Sequence, residues 1–148
     1  DRNSFGAITY EPPYHPPNNK PVSLTQLFKN GEMWSIGTSF HTEYEGGIII
    51  FAKTLENATT RVTDNFCNIA QKELGVEPPY SIEIGGVGLN GVRLVVAENT
   101  FSEPIHQSEL KVRRVIKEAT TQAIGGVVAE FMDRLHELSG TDRPQSRP

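Results

Sequence analysis

The chain has 148 residues, 36% of them hydrophobic, which suits one domain with a substantial core. Its net charge of −4 and pI near 5.6 argue against a dominant nucleic-acid footprint, which asks for a basic domain or a clear basic face. No apolar run approaches the roughly 20 residues of a membrane helix, and no signal peptide is visible, so the expected setting is cytoplasmic without membrane contact. The single cysteine, Cys67, excludes an internal disulfide and fits a reducing compartment. It sits among apolar neighbours in an expected helix and reads as a small buried hydrophobe. Asn57-Ala58-Thr59 matches a glycosylation sequon by chance, given no sign of secretion. The chain starts at Asp1 rather than at methionine, from which we expect a piece excised from a larger protein.

Residues 1–22 read as a proline-rich extended arm. Pro12, Pro13, Pro16, Pro17 and Pro21 favour polyproline geometry, with Tyr10 and Tyr14 interleaved. Ser23 is a good N-cap for a short helix over 24–29, ended by Asn30-Gly31. A strand follows in which Trp34, Ile36, Phe40 and Tyr44 share a face. After a turn at Glu45-Gly46-Gly47, the apolar run 48–52 suits a central strand buried on both faces. Asn57 can cap a helix whose stripe is Val62, Phe66, Ile69, Ala70 and Leu74, stopped by Gly75 and Pro78-Pro79.

Residues 81–88 and 92–97 flank Asn90-Gly91, a strong signal for a hairpin through a type I′ turn. Keeping Ile82 and Ile84 on the face of Val92, Leu94 and Val96 then requires a β-bulge near Gly85-Gly86. In the next strand Leu110, Val112 and Ile116 alternate with Lys111, Arg113 and Lys117. Arg114 points to the apolar side, as a paired charge or a strand end. A last helix from about Thr120 to Leu138 carries Ile124, Val127, Val128, Phe131, Leu135 and Leu138. Close packing is the expected reason for Gly125-Gly126 inside it. Residues 140–148 read as a disordered polar tail. The expectation is an α+β fold: about five strands, mostly antiparallel, built from two hairpins plus one strand, with two helices on one face. A single domain spans 23–139.

The glycines Gly86, Gly88 and Gly91, with Asn90, match G-x-G-x-x-G. A dinucleotide loop must open a helix, whereas a strand is expected after this one. A kinase-type glycine loop sits between strands, but its lysine strand, His-Arg-Asp loop and Asp-Phe-Gly triplet are missing. The glycines therefore read first as turn residues, and as a nucleotide or small-ligand site only in the alternative. His15, His41, His106 and His136 read as scattered surface histidines without zinc spacing, so no metal or cofactor is expected. Ser81, Ser102 and Ser108 lack a nucleophile elbow, and Glu43, Glu45, Glu56 and Glu83 show no catalytic pairing. Lys111, Arg113 and Lys117 would share one strand face and could follow a phosphate backbone. The wide stripe of the last helix is the best candidate for a partner or dimer contact.

Leu74-Gly75-Val76-Glu77-Pro78-Pro79-Tyr80 and the following 84–94 resemble segments in the C-terminal region of bacterial Schlafen AlbA-like proteins, a class associated with DNA binding. The segment 104–110, Pro104 to Leu110, is similar to one preceding another strand there. The match covers about a third of the chain, and its motifs are turn-like. The resemblance implies an accessory domain appended to a nucleic-acid-associated domain outside this chain, and no family active-site residue maps here. The expected function is thus a non-catalytic accessory, sensor or assembly module of a larger bacterial protein. Its partner would be another domain or subunit of the parent, or a second copy. Nucleic-acid binding is the alternative.

Overall fold

A computed structural model describes residues 2–11 and 22–144. The protein is α+β; the described residues hold two α-helices and strands in three sheets rather than one. It forms two compact units, Asp1–Phe40 and His41–Pro148.

The first unit is an antiparallel sheet: β1 (Arg2–Asn3), β2 (Gly6–Glu11), β3 (Ser23–Phe28) and β4 (Met33–Gly37), in that order. The segment 24–29 is therefore a strand and not the expected helix. Six residues cannot nucleate a helix well, and here both edges of β3 are paired, Leu24 with Tyr10 and Ile36. Asn30-Gly31 closes a hairpin instead of capping a helix. Gly31 has φ +86°, Phe28 N–H donates to Glu32 O at 2.8 Å, and Asn30 Oδ1 accepts from Glu32 N–H at 3.1 Å. The register places Leu24, Gln26, Phe28, Trp34 and Ile36 on one face, with Phe28 and Trp34 edge to face at 5.8 Å. Within the arm expected over 1–22, residues 2–11 supply β1 and β2. The prolines at 12–21 and Tyr14 lie outside the described residues. The strand expected through Phe40 to Tyr44 ends at Gly37 and resumes in another sheet.

In the second unit, β5 (His41–Tyr44) and β6 (Gly47–Phe51) form a hairpin whose turn residues, Glu45 and Gly46, have φ of +49° and +76°. Positive φ at both positions is the mark of a type I′ turn. Helix α1 (Ala52–Asn68) starts directly after β6, five residues before the expected Asn57 cap, and closes in a π-helical turn, Ile69–Glu73. Its buried residues are Ala52, Thr63 and Cys67, joined by Ala70, so the core-facing edge lies beside the expected stripe. The π turn, with Leu74 N–H bonding Ile69 O at 3.1 Å, adds a residue to the turn and leaves Ile69 and Leu74 exposed. Thr59 and Thr63 hydroxyls donate to the carbonyls four residues back, at 2.8 and 2.9 Å, which lets a polar edge face the interior.

The expected hairpin at Asn90-Gly91 does not form. Strands β7 (Tyr80–Val87) and β8 (Arg93–Ala97) never pair with each other. Instead the chain runs on and turns back at Glu98-Asn99, into β9 (Thr100–Phe101) and β10 (Glu109–Ile116). β7 pairs with β10, β8 with β9, and between them Gly91 N–H donates to Ile105 O and Ile105 N–H to Val92 O, at 2.8 and 2.9 Å. One long bent hairpin results. Its β8 also pairs with β6 in parallel, which gives the order β5-β6-β8-β9. The β-bulge expected at Gly85-Gly86 is absent: Gly85 faces Lys111 and Gly86 faces Leu110 in an unbroken ladder, and the register shift falls between Val95 and Ala97.

Helix α2 (Thr121–Leu138) is capped by Thr120, whose Oγ1 accepts from Ala123 N–H at 3.2 Å. It packs on β10, β7 and α1. Its buried side chains Val128, Phe131, Met132 and Leu135 meet Leu94, Ile105, Leu110 and Val112, while Ile124 and Val127 meet Cys67 and Ile116. The wide stripe is thus mainly core. Close packing does not explain Gly125-Gly126, since a Cβ at either would meet nothing within 4 Å, and nothing else in the structure explains the pair. Within the tail expected over 140–148, Arg143 pairs with Glu56 and Asp133; residues 145–148 lie outside the described residues.

Two stability measurements by denaturant unfolding check this packing. Leu135→Ala is expected to cost about 2–5 kcal/mol, the range for a buried leucine. Gly126→Ala, at an exposed helical position with open space, is expected to stabilise by about 0.5–1 kcal/mol.

Candidate functional site

The basic strand is β10. Alternation sends Leu110, Val112 and Ile116 inward, with Ile82 and Ile84 of β7 packed among them. Lys111, Arg113 and Val115 point outward, opposite Gly85, Glu83 and Ser81. Gly85 allows the two strands their close approach there, since a Cβ would lie 2.8 Å from Leu110 O. Lys111 Nζ is 3.1 Å from Glu83 Oε1, and Arg113 Nε donates to Ser81 Oγ at 3.0 Å. Lys117 lies past the strand end at Ile116. The outer face therefore carries Glu83 and Glu109 among its cations, and its charge is balanced. Such exposed pairs add little stability, but they remove the uniform positive stripe that tracks a phosphate backbone. Arg114 does point to the apolar side, and there it pairs with Glu130 of α2.

The G-x-G-x-x-G residues are split between two settings. Gly86 is inside the β7–β10 ladder. Gly88, Asn90 and Gly91 form the bend between β7 and β8, with positive φ at Gly88 and Gly91 and not at Asn90, so the turn is not type I′. Three N–H groups of the bend are already bonded: Leu89 to Ser108 O at 3.0 Å, Gly91 to Ile105 O at 2.8 Å and Val92 to Leu89 O at 3.0 Å. A phosphate cradle works by aiming free N–H groups at the anion. Two of these are aimed at the returning chain, and the third, from Val92, closes the bend on itself.

A third surface is the outer face of the β5-β6-β8-β9 sheet. The pairs Thr42 to Ile49, Ile49 to Arg93, Phe51 to Val95 and Val95 to Phe101 put these side chains, with Tyr44, on one side. Leu94 and Ile50 take the other side and join the core. Tyr44 and Phe101 stack at 5.3 Å between centroids, and Ile49 on the same face is only 5% exposed. Arg93 is fixed twice over, by its guanidinium lying 5.3 Å from the Phe101 ring centre and by its Nε donating to Ser102 O at 2.9 Å. Among the described residues it has no carboxylate partner. Tyr44 and Phe51 stay 45% and 46% exposed. At the rim, Glu43 and Glu45 line an open hollow of 360 Å³ with Tyr44, Gly46, Gly47 and Ile48. Aromatic residues and arginine are the types enriched at protein interfaces.

Sequence reasoning missed Arg93, Phe51 and Phe101, because only the β6–β8 and β8–β9 pairings bring them to one face. It also placed His136 at the surface, whereas this imidazole is 2% exposed at the end of α2. The legible signal was spacing: His136 lies four residues after Met132, on the same helical line. His41 and His106 are exposed, and His15 lies outside the described residues. Among the described residues no three His, Cys, Asp or Glu side chains gather closely enough to hold a metal ion. Cys67 is buried; burial, then the Asp64 charge, push its thiol above the usual value and away from thiolate reactivity. Ser102 Oγ accepts from Leu94 N–H at 2.7 Å and donates to Glu103 O at 2.8 Å, a structural role.

The glycine bend and the balanced β10 face generate two outcomes. Gly91→Ala, forced to keep positive φ, is expected to lose roughly 1 kcal/mol in denaturant unfolding. Labelled duplex DNA at about 50 mM salt is expected to show no anisotropy rise with the protein; binding with a steep salt slope would restore the β10 reading. No protein-family model matches the chain, and neither a curated protein nor a solved structure matches it.

Proposed function

We propose that this chain is a non-catalytic protein-interaction module of a larger bacterial protein, working in the cytoplasm through the outer face of the β5-β6-β8-β9 sheet. The observation that carries this reading is Arg93, held over Phe101, met by no carboxylate among the described residues and flanked by exposed Tyr44 and Phe51. A guanidinium already fixed in place loses little freedom when it forms a two-pronged contact with a carboxylate. The partner that fits presents a carboxylate within an apolar patch, with basic residues toward Glu43 and Glu45. It is another domain or subunit of the parent, or a second copy. Mixed charge at the rim favours a protein over a polyanion. Further support for a cytoplasmic setting is a lone, buried, free cysteine, and no helix of the described residues is long and apolar enough to cross a membrane. An accessory role also agrees with the Schlafen AlbA-like resemblance of residues 74–94.

The β10 nucleic-acid reading has less behind it, since Glu83 holds Lys111 and Ser81 holds Arg113. A ligand at Gly86, Gly88, Asn90 and Gly91 has less again, given the bonded N–H groups of the bend.

Site-specific photocrosslinking from position 51 in the full-length parent checks the interaction face, with position 115 on the β7–β10 face as control. A specific adduct from 51 is expected, lost in Arg93→Ala and Phe101→Ala variants that still fold. Central truncations of this kind weaken binding by about 2 kcal/mol, or roughly 30-fold. Equal adducts from both positions, or adducts indifferent to Arg93, would rule the face out.

A further inference from the structure

After α2 the chain turns back under the end of its own helix. Ser139, fully buried, donates from its N–H to Leu135 O at 3.2 Å and from its Oγ to His136 O at 2.9 Å. Thr141 N–H donates to His136 O at 3.0 Å. Thr141 Oγ1 lies 3.0 Å from His136 Nδ1 and 3.1 Å from Ser139 Oγ. Ser139 O accepts from Glu103 N–H at 3.1 Å. Beyond this knot Arg143 spans two helices, with Nη2 2.6 Å from Glu56 Oε1 on α1 and Nη1 3.1 Å from Asp133 Oδ1 on α2.

We propose that residues 141–143 form an acid-released latch joining the end of α2 to α1, with His136 as the group whose protonation opens it. The latch closes on a neutral imidazole. His136 is buried against the Thr141 hydroxyl, and the charged groups facing it are Glu56 from α1, Asp133 from α2 and Arg143 from the latch itself. Burial holds the imidazole below its ordinary value, and Arg143 acts in the same direction; Asp133 and Glu56 pull the other way without cancelling it. A protonated His136 would set a second cation beside Arg143 in a site poor in water. Opening the latch returns the ring to solvent, where it titrates near 6.5. The closed form is therefore fully favoured above about pH 6.5 and loses ground as the pH falls below it. Only residues at the end of α2 need move, because the buried stripe from Ile124 to Leu135 is held by the sheet and α1.

The test is NMR on the whole chain. The His136 ring is titrated while amide protection is followed at Thr141 and, within α2, at Phe131. Below pH 6.5 the open form gains weight by at most about tenfold per unit, for as long as the closed imidazole stays neutral. Thr141 protection is thus expected to fall as the pH drops below about 6.5, by up to about tenfold per unit, while Phe131 protection stays constant. In His136→Gln, Thr141 protection is expected not to vary with pH, and in Arg143→Gln it is expected to be low throughout. The wild-type titration decides the matter even where a variant fails to fold. Three results overturn the latch. Thr141 and Phe131 could lose protection together; the loss could follow a midpoint near 4, where carboxylates titrate; or His136 could titrate near 6.5 with Thr141 unchanged.

Discussion

Burial of one face of α2 is the constraint on which the second unit depends. Ile124, Val127, Val128, Phe131, Met132 and Leu135 are all buried, and between them they enter both core clusters. Each such side chain contributes roughly 1.5–3 kcal/mol relative to exposure. Removing the helix would leave the inner faces of β7 and β10 without cover. The helix reaches that position because β10 delivers the chain to Thr120, whose hydroxyl caps the first turn.

The bent hairpin is what α2 covers. Its β7–β10 limb carries eight aligned pairs, and the inward members of those pairs, Ile82, Ile84, Leu110, Val112 and Ile116, meet the helix. Past the bend, β8 enters a different sheet and turns Leu94 inward and Arg93 outward. The glycines of the bend thus act on architecture. They allow the strand to leave one sheet and join another, while the Leu89 and Gly91 N–H groups hold the returning chain. The same bend separates the two outer faces: a charge-balanced one on β7–β10 and an aromatic one on β5-β6-β8-β9, where Arg93 lies over Phe101.

Polar groups inside the second unit follow the rule that burial demands partners. Thr63, Ser102, His136 and Ser139 are buried, and each has a bonded partner. Arg114 shows how the rule works at the margin. It sits on the inward side of β10 between apolar neighbours and is accommodated by Glu130. Arg93 lies on the exposed outer face of the other sheet, where its Nε bonds Ser102 O and, among the described residues, no carboxylate meets its guanidinium.

Local pattern by itself determined the α+β class, the span and buried stripe of α2, the turn at Glu45-Gly46, the alternation of β10 and the inward Arg114. In each case the deciding signal lies within a few residues: a 3.6 or 2.0 periodicity, a cap, or glycine at positive φ. Asn-Gly shows where that reasoning stops. The dipeptide occurs twice; at 30–31 it closes a hairpin and at 90–91 it does not, although the surrounding sequence pointed the other way round. Which strands pair is settled by contacts distant in sequence, β6 with β8 and β7 with β10, and no local preference encodes them. The β7–β10 pairing decided that Lys111 would meet Glu83, and the β8–β9 pairing that Arg93 would come to lie over Phe101, while packing between elements decided that α1 would bury Thr63 instead of Ile69. A side chain's neighbours across a sheet or between helices are set by register and packing, and these exist only once the chain is folded.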